Sequence, residues 1–118
     1  MGKFKELRVW KDSMDLAIKV YGITNMGKFK YDHGLKEQIR RASVSIASNI
    51  SEGDERSGNK QSVYFFNIAK ASTAEVITQL NIAYEIGYIN NEVFSSTEDQ
   101  AEKIRASLKN LIKYRSKS

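Results

Sequence analysis

Apolar side chains recur at intervals of three and four residues in four segments of the chain, which is the spacing of one helix face. No segment shows the strict apolar–polar alternation of a half-buried strand. The pattern predicts helices over about residues 7–26, 35–55, 59–87 and 92–115. Short connections between them predict an all-α, antiparallel up-down-up-down four-helix bundle, with residues 1–118 as a single domain.

Each predicted helix has an apolar row that should face the core. The first helix offers two neighbouring rows, a seam of Leu7, Trp10, Met14, Ala17, Tyr21 and Thr24 and a stripe of Val9, Leu16, Val20 and Ile23 beside it. The third helix offers Phe66, Ala69, Thr73, Val76, Leu80, Ala83 and Gly87. The fourth offers Phe94, Thr97, Ala101, Ile104, Leu108 and Leu111.

Glycines and polar residues indicate where these helices end. Gly87, followed by an apolar residue, predicts a left-handed stop of the third helix. Gly27 and Gly34 are expected to bracket a loop. The fourth helix is expected to start either at Asn91 or at Ser95, where the sequence to Glu98 has the form of a capping box.

The second predicted helix carries small side chains on several faces. Its apolar row is Leu35, Ile39, Ala42, Ile46, then Asn49 or Ile50, and Gly53, beside a second row of Gln38, Arg41, Ser45, Ser48 and Glu52. A helix with one partner would carry long charged residues on its far face. We therefore expect close neighbours on more than one side. Arg41 and Glu52 should join an inter-helix or inter-subunit hydrogen-bond network, and Asn49 should fix helix register.

Three consecutive aromatic residues in the third helix, Tyr64, Phe65 and Phe66, favour an oligomer. Successive helical side chains lie about 100° apart, so the three cannot all reach one core. One of them must be exposed or covered by a partner, and exposed aromatic patches are uncommon on monomers. Tyr64 and Phe65 are therefore candidate subunit contacts.

Charge is segregated along this chain of net charge +5. Residues 1–70 hold 13 Lys/Arg and 8 Asp/Glu, residues 71–102 hold 0 and 6, and residues 103–118 hold 6 and 0. Such segregation is typical of nucleic-acid binding, and equally of pairing between adjacent helices or subunits. The candidate nucleic-acid-binding residues are Lys28, Lys30, Lys36, Arg40, Lys109, Lys113, Arg115 and Lys117.

Several function classes lack the residues they need. There is no cysteine, so disulfides and thiol chemistry are excluded. With His33 as the one histidine, no Glu-x-x-His pair and no glycine-rich phosphate loop, we expect neither catalysis, nor a metal, nor a cofactor. The sequence has neither a membrane-spanning apolar run nor an apolar signal core, so we expect a cytoplasmic protein without a membrane partner.

The chain resembles, along nearly its whole length, the bacterial four-helix-bundle proteins named for 23S rRNA intervening sequences. The resemblance rests on residues such as Leu7-Arg-Val-Trp10, Gln38-Ile-Arg-Arg-Ala42, Ser48-Asn-Ile50, Glu52-Gly53 and Gly87-Tyr-Ile89. Where the family often has a basic residue, this chain has Tyr64. The resemblance implies a ring-like homo-oligomer, commonly a pentamer. The chain is also similar to accessory variability proteins of diversity-generating retroelements, which implies nucleic acid and a reverse transcriptase as partners.

These observations together favour a non-enzymatic oligomeric scaffold that binds RNA or DNA through repeated basic surfaces. The alternative is a protein–protein interaction scaffold that does not bind nucleic acid and whose partner contacts the acidic residues 71–102 or the exposed aromatic face. Neutralising the basic tail should abolish the first function and leave the second intact.

Overall fold

The computed structural model describes residues 3–117, which form four α-helices in the predicted order. The helices are α1 (Arg8–Ile23), α2 (His33–Asp54), α3 (Asn59–Glu85) and α4 (Asn91–Ser116). Two short 3-10 helices, Phe4–Glu6 and Gly27–Tyr31, precede α1 and α2. No strand occurs among these described residues, so the predicted all-α class is confirmed.

Consecutive helices fold back on one another. α2 has 22 residues and α3 has 27, which gives lengths of about 33 and 40 Å at the usual helical rise. Residues 55–58 join them, yet the chain extends only 46 Å along its longest axis. The two helices must therefore run antiparallel. α1 closes the bundle against α4, where Lys19 Nζ donates to Gln100 Oε1 at 2.7 Å.

The core rows of α3 and α4 are the ones that the sequence predicts. In the predicted α3 row, the six residues from Phe66 to Ala83 are fully buried, whereas Gly87 lies beyond the end of the helix and is exposed. In α4, Thr97, Ala101, Ile104 and Leu108 are buried, and the outer members of the row are partly buried against the core. In α2 the sequence pattern allows either Asn49 or Ile50 as the core residue. Ile50 is fully buried and Asn49 is half-buried, so Ile50 is the core residue.

The predicted stripe of α1 faces the core, and the seam predicted beside it is wrong at Met14 and Tyr21, although its Thr24 is fully buried and its Leu7 and Trp10 are partly buried against the core. The buried residues of α1 are Val9, Ser13, Leu16, Val20 and Ile23, whereas Met14 and Tyr21 of the predicted seam are exposed. The Ser13 hydroxyl donates to the backbone carbonyl of Val9 at 2.7 Å, which satisfies it inside the core. A polar residue thus interrupts the true row and makes the adjacent row look more continuous.

Gly87 ends α3 as predicted, with φ at +83° in the left-handed region. Its N–H donates to Tyr84 O at 3.0 Å, and the Tyr88 N–H donates to Ala83 O at 2.8 Å. This pair of bonds satisfies carbonyls of the last turn.

The fourth helix uses the earlier of the two predicted starts. Asn90 has an extended backbone, and its side-chain oxygen accepts a bond from the Val93 N–H at 2.8 Å, so α4 begins at Asn91. Residues 95–98 lie inside α4, and the capping-box interpretation is wrong.

The predicted loop between Gly27 and Gly34 is mostly helical. Gly27, with φ at +53°, starts a 3-10 helix in which Phe29 is fully buried. Gly34 lies in the first turn of α2, where the Asp32 carboxylate accepts a bond from the Leu35 N–H at 3.1 Å. The connection therefore contributes a core residue and a helix cap.

Candidate nucleic-acid interface

The two predicted basic segments lie at opposite ends of the bundle. At the tail end, which holds the α2–α3 turn and the C-terminus of α4, Arg115 contacts Asp54. At the head end, which holds the 3-10 segment before α2 and the α3–α4 turn, Tyr88 contacts Asp32. The candidate cations of residues 28–40 therefore belong to the head end and those of α4 to the tail end.

The cations and aromatics of residues 28–31 at the head end are only partly accessible. Lys28 and Lys30 are exposed. Phe29 is buried, with its ring 5.3 Å from that of Tyr88. Tyr31 is 73% exposed, and the Lys30 ammonium lies 5.9 Å from its ring centroid. One ring of this segment, rather than two, is available to stack on a base.

Arg40 is engaged within the chain. Its Nε donates to Thr24 Oγ1 at 2.8 Å, and its Nη2 lies 3.3 Å from Asn25 Oδ1. Its guanidinium also lies 4.3 Å from the ring centroid of Tyr21. These contacts tie α2 to the end of α1, so a phosphate would have to share this guanidinium with them.

Charges of both signs surround the remaining head-end candidate, Lys36. It lines a shallow groove of about 510 Å³ with His33, Glu37 and Arg40. His33 is the exposed first residue of α2. Acidic side chains at residues 32 and 37 flank this lysine in the sequence, which weakens the field that a polyanion would meet.

At the tail end, Arg115 holds α4 against α2. Its Nη2 lies 2.9 Å from Asp54 Oδ1, and the two side chains are only 22% and 7% exposed. Its guanidinium also lies 5.3 Å from the ring centroid of Phe66 in α3. Because this cation already has a buried partner, its first role in the fold is to join three helices.

The other predicted cations of α4, Lys109, Lys113 and Lys117, are exposed. Two further cations that were not among the predicted ones, Lys60 and Arg56, are brought to the same end by the α2–α3 turn. Lys60 lines a groove of about 340 Å³ together with residues 115 and 116 of α4. The predicted up-down-up-down topology was the signal that could have found these two cations, because it places that turn beside the C-terminus of α4.

The polar row of α2 that was predicted to form an inter-helix or inter-subunit network lies beside α3, where Ser45 and Arg41 face Ser72 and Glu75. Arg41 and Glu52 do not pair with each other; Glu52 accepts a bond from Arg56 Nη2 at 2.8 Å, one turn away. Gln38 and Ser48 are exposed. Arg41 is exposed too, and lines a shallow groove of about 670 Å³ that also contains Glu75.

Small residues let α2 and α3 approach closely along this seam. The Ser72 hydroxyl donates to Ser45 Oγ at 3.1 Å. Asn49 Nδ2 donates to the backbone oxygen and hydroxyl of Ser45 at 2.9 and 3.0 Å, so its bonds stay within α2. A Cβ added at Gly53 would lie 2.6 Å from Phe66 Cε1, a distance that leaves no room for a side chain.

The three consecutive aromatic residues of α3 differ in burial, as their spacing around the helix requires. Phe66 is fully buried, Phe65 is half-buried, and Tyr64 is 63% exposed. The rings of Tyr64 and Phe65 meet edge to face with their centroids 5.2 Å apart. The exposed ring therefore lies on the outer surface of α3, at the tail end.

The two titratable groups whose pKa values are shifted, Asp32 and Tyr88, bond to each other at the head end. The pKa of Asp32 is lowered, first by the bond from the Leu35 N–H and then by the bond from the Tyr88 hydroxyl. The same hydroxyl bond raises the pKa of Tyr88. Among residues 3–117, no group of three or more His, Cys, Asp or Glu side chains could hold a metal ion. None of the helices in this described range has the length and apolarity to cross a membrane.

Comparison with known proteins assigns the family. Residues 5–110 match the family model of the 23S rRNA-intervening sequence protein, and the chain belongs to this family. A crystal structure of a protein of unknown function from the S23 ribosomal protein family of Bacteroides thetaiotaomicron superposes with a TM-score of 0.82. The two are 23% identical over 89% of this chain and 98% of that one, which supports the fold alone. No curated protein matches the chain.

Proposed function

We propose that this member of the 23S rRNA-intervening sequence protein family is a cytoplasmic homo-oligomeric scaffold, without enzymatic activity, that binds RNA or DNA through its tail end. The proposal is carried by the exposed cations that two helices group there, Lys60 from α3 and Lys109, Lys113 and Lys117 from α4. No acidic residue follows Glu102 in the sequence. Arg115 is paired with Asp54, whereas Lys109, Lys113 and Lys117 make no salt bridge among the described residues.

A surface of this kind suits the phosphate backbone. Lysines bind phosphates as point charges and release the counterions that the polyanion had condensed, so the binding is sequence-tolerant and depends on salt. The head end has as many candidate cations, but Arg40 is engaged by α1 and Glu37 lies in the same groove. The tail end also carries the acidic Glu52 and Glu55 on the α2–α3 side, but no acidic residue follows Glu102 in α4, which makes the lysines of α4 the better polyanion site.

Assembly would multiply this modest patch. The α2–α3 face combines the small side chain of Ser45 with the oppositely charged Arg41 and Glu75 in one groove. A second copy could approach such a face closely, and the family resemblance implies a closed ring, commonly of five subunits. A ring would repeat every tail end around its axis and widen the positive field.

The proposal is tested by fluorescence anisotropy with labelled DNA and RNA, titrated at several salt concentrations. We expect the variant K109Q/K113Q/K117Q to flatten the plot of log binding constant against log salt by about 0.7 to 0.9 for each phosphate that is no longer bound. Arg115 stays unchanged so that the fold is preserved. The control K28Q/K30Q/K36Q removes the same charge from the head end and should keep the wild-type slope.

Two results would overturn the proposal: absence of binding at low salt, and equal slopes for the wild type and the tail-end variant. Light scattering after size-exclusion chromatography tests the scaffold itself and should give several times the subunit mass of 13.4 kDa. A monomer at micromolar concentration would contradict the ring.

A protein-interaction scaffold is the second candidate, favoured by the exposed apolar side chains Ile82 and Ile86 at the end of α3. They lie in the segment 71–102, whose charged residues are all acidic. A partner with a basic, apolar surface would complement this region, and the family similarity points to a reverse transcriptase. The tail-end lysine variant should leave such binding intact, which separates the two functions.

A further inference from the structure

A groove on the outer surface of α3, beside the α2–α3 turn, combines aromatic and cationic side chains. Its volume is about 400 Å³, and it is lined by Arg56, Lys60, Gln61, Tyr64 and Phe65. Two of these residues were predicted to be subunit contacts, and none was predicted to bind a ligand. Their arrangement fits the two parts of a nucleotide, a flat base and a charged phosphate.

Contacts with neighbouring side chains support the two aromatic rings of the groove. The Arg56 guanidinium lies 4.6 Å from the ring centroid of Phe65, and Glu52 fixes this guanidinium through a 2.8 Å bond. Phe65 in turn supports Tyr64 through their edge-to-face contact. The Tyr64 ring is therefore exposed to solvent, whereas the Phe65 ring is covered by the Arg56 guanidinium.

The cationic part links this ring to the lysines of α4. Lys60 lies one helical turn before Tyr64, on the same face. It lines both the aromatic groove and the adjoining groove formed with residues 115 and 116. A strand with its base on Tyr64 would thus have phosphates at Lys60 and, further along, at the C-terminal turns of α4.

We infer that the Tyr64–Lys60 groove binds single-stranded nucleic acid, with one base stacked on Tyr64 and the adjoining phosphate on Lys60. This inference rests on the proposed nucleic-acid function and adds the strand class and the contact site. Both faces of a base inside a duplex are covered by its neighbours, so a surface tyrosine gains little there. An unpaired base has a free face and stacks without regard to its identity.

The test compares Y64A with the wild type in anisotropy titrations on a labelled oligothymidine, a labelled oligouridine and a labelled DNA duplex of the same length. Removal of one base–aromatic stack should weaken single-strand binding by about 5- to 150-fold. Duplex binding and the salt slope should not change, because no charge is removed. Y64F keeps the ring and should bind as the wild type does.

Tyr31 provides a matched control, since it is as exposed as Tyr64 and also lies beside lysines, but at the head end. Y31A should retain wild-type affinity for every probe. K60Q complements the set, because a glutamine cannot replace the charge that binds the phosphate, and the salt slope for single strands should flatten by about 0.7.

The outcomes separate this inference from the function on which it rests. If the wild type binds no probe, the proposed function fails and the inference fails with it. If the wild type binds but Y64A weakens neither strand class, or weakens both equally, the inference alone is overturned. Light scattering of Y64A should give the wild-type mass; dissociation would assign Tyr64 to the subunit interface and overturn the inference.

Discussion

At each end of the bundle an aspartate at the corresponding end of α2 makes a long-range contact, and the two contacts differ in kind. At the tail end the buried Asp54 carboxylate pairs with the Arg115 guanidinium. At the head end the half-buried Asp32 accepts a bond from the neutral Tyr88 hydroxyl at 2.9 Å. The first contact joins two opposite charges of which the carboxylate is largely buried, whereas the second adds a bond to a carboxylate that already caps a helix.

The cations at the two ends differ in a related way. At the head end Arg40 is bound by α1, and acids lie among the lysines. At the tail end Arg115 supplies the structural contact, and the lysines around it stay exposed. A count of basic residues along the sequence does not distinguish these cases, because the number of free cations depends on which of them the fold has already paired.

The largest loss of stability should follow removal of the charge on Asp54. D54N leaves Arg115 next to Phe66 without its carboxylate, and breaking a buried pair costs several kcal/mol. Because the Arg115 side chain is partly exposed, we expect the free energy of unfolding to decrease by about 3 kcal/mol, the lower end of the range for a broken buried pair. Urea unfolding followed by circular dichroism measures it, at one fixed protein concentration because assembly would shift the apparent stability.

The neighbouring exposed residue Glu55 supplies the control, since E55Q changes the net charge equally and should alter stability by less than about 0.5 kcal/mol. Both variants make the tail end more positive. If charge alone governed nucleic-acid binding, both would bind more tightly than the wild type. Because Arg115 positions the end of α4, D54N should bind less tightly than E55Q. Equal stability of D54N and E55Q would show that the ion pair does not fasten the tail end.

Replacing a glycine by alanine should change the stability by a smaller amount, with a decrease at the tail end and an increase near the head end. G53A at the tail end forces a methyl group against Phe66 and the Ser62 carbonyl, and overpacking of this kind costs about 1–3 kcal/mol. G22A in α1 near the head end meets no atom within 4 Å, so it should stabilise the helix by about 0.5–1 kcal/mol. The same unfolding assay measures both. If both variants were less stable than the wild type, the expected difference between the crowded Gly53 and the open Gly22 would be contradicted.

The sequence was sufficient for the fold where one row of a helix is clearly the most apolar. The α3 row from Phe66 to Ala83 was predicted correctly although it includes the polar Thr73, whose hydroxyl bonds within its own helix, and the Gly87 stop was predicted because the turn requires a left-handed residue. In α1 the prediction missed Ser13, whose hydroxyl is also satisfied by its own helix. There a neighbouring row with the large apolar residues Met14 and Tyr21 competes with the buried one, and hydrophobic spacing does not separate the two.

The sequence was less informative about the candidate site. It identified the basic segments, but the partner of Arg40 lies 16 residues away and that of Arg115 lies 61 residues away. Such pairs depend on how helices pack, and no local pattern encodes them. The grouping of Lys60 with Tyr64 follows from helical spacing, whereas its position beside α4 follows only from the bundle.

The smallest effect is expected at the head end, from Y88F. The folded pKa of Asp32 lies below its ordinary value of 3.8, so its bonds contribute stability above that pH, and the contribution disappears as the pH falls through the folded pKa. Y88F removes the hydroxyl bond but keeps the ring packed on Phe29 and the bond from the Leu35 N–H. An NMR titration should therefore show the pKa of Asp32 shifted upward towards 3.8, though not fully. The stability difference from wild type should be present at neutral pH and shrink as the pH falls below 3.8 and through the lowered folded pKa of Asp32. Y114F, which alters an exposed tyrosine at the tail end, should leave the pKa of Asp32 unchanged. An Asp32 pKa that is the same in Y88F and wild type would show that the head end is fastened without this bond.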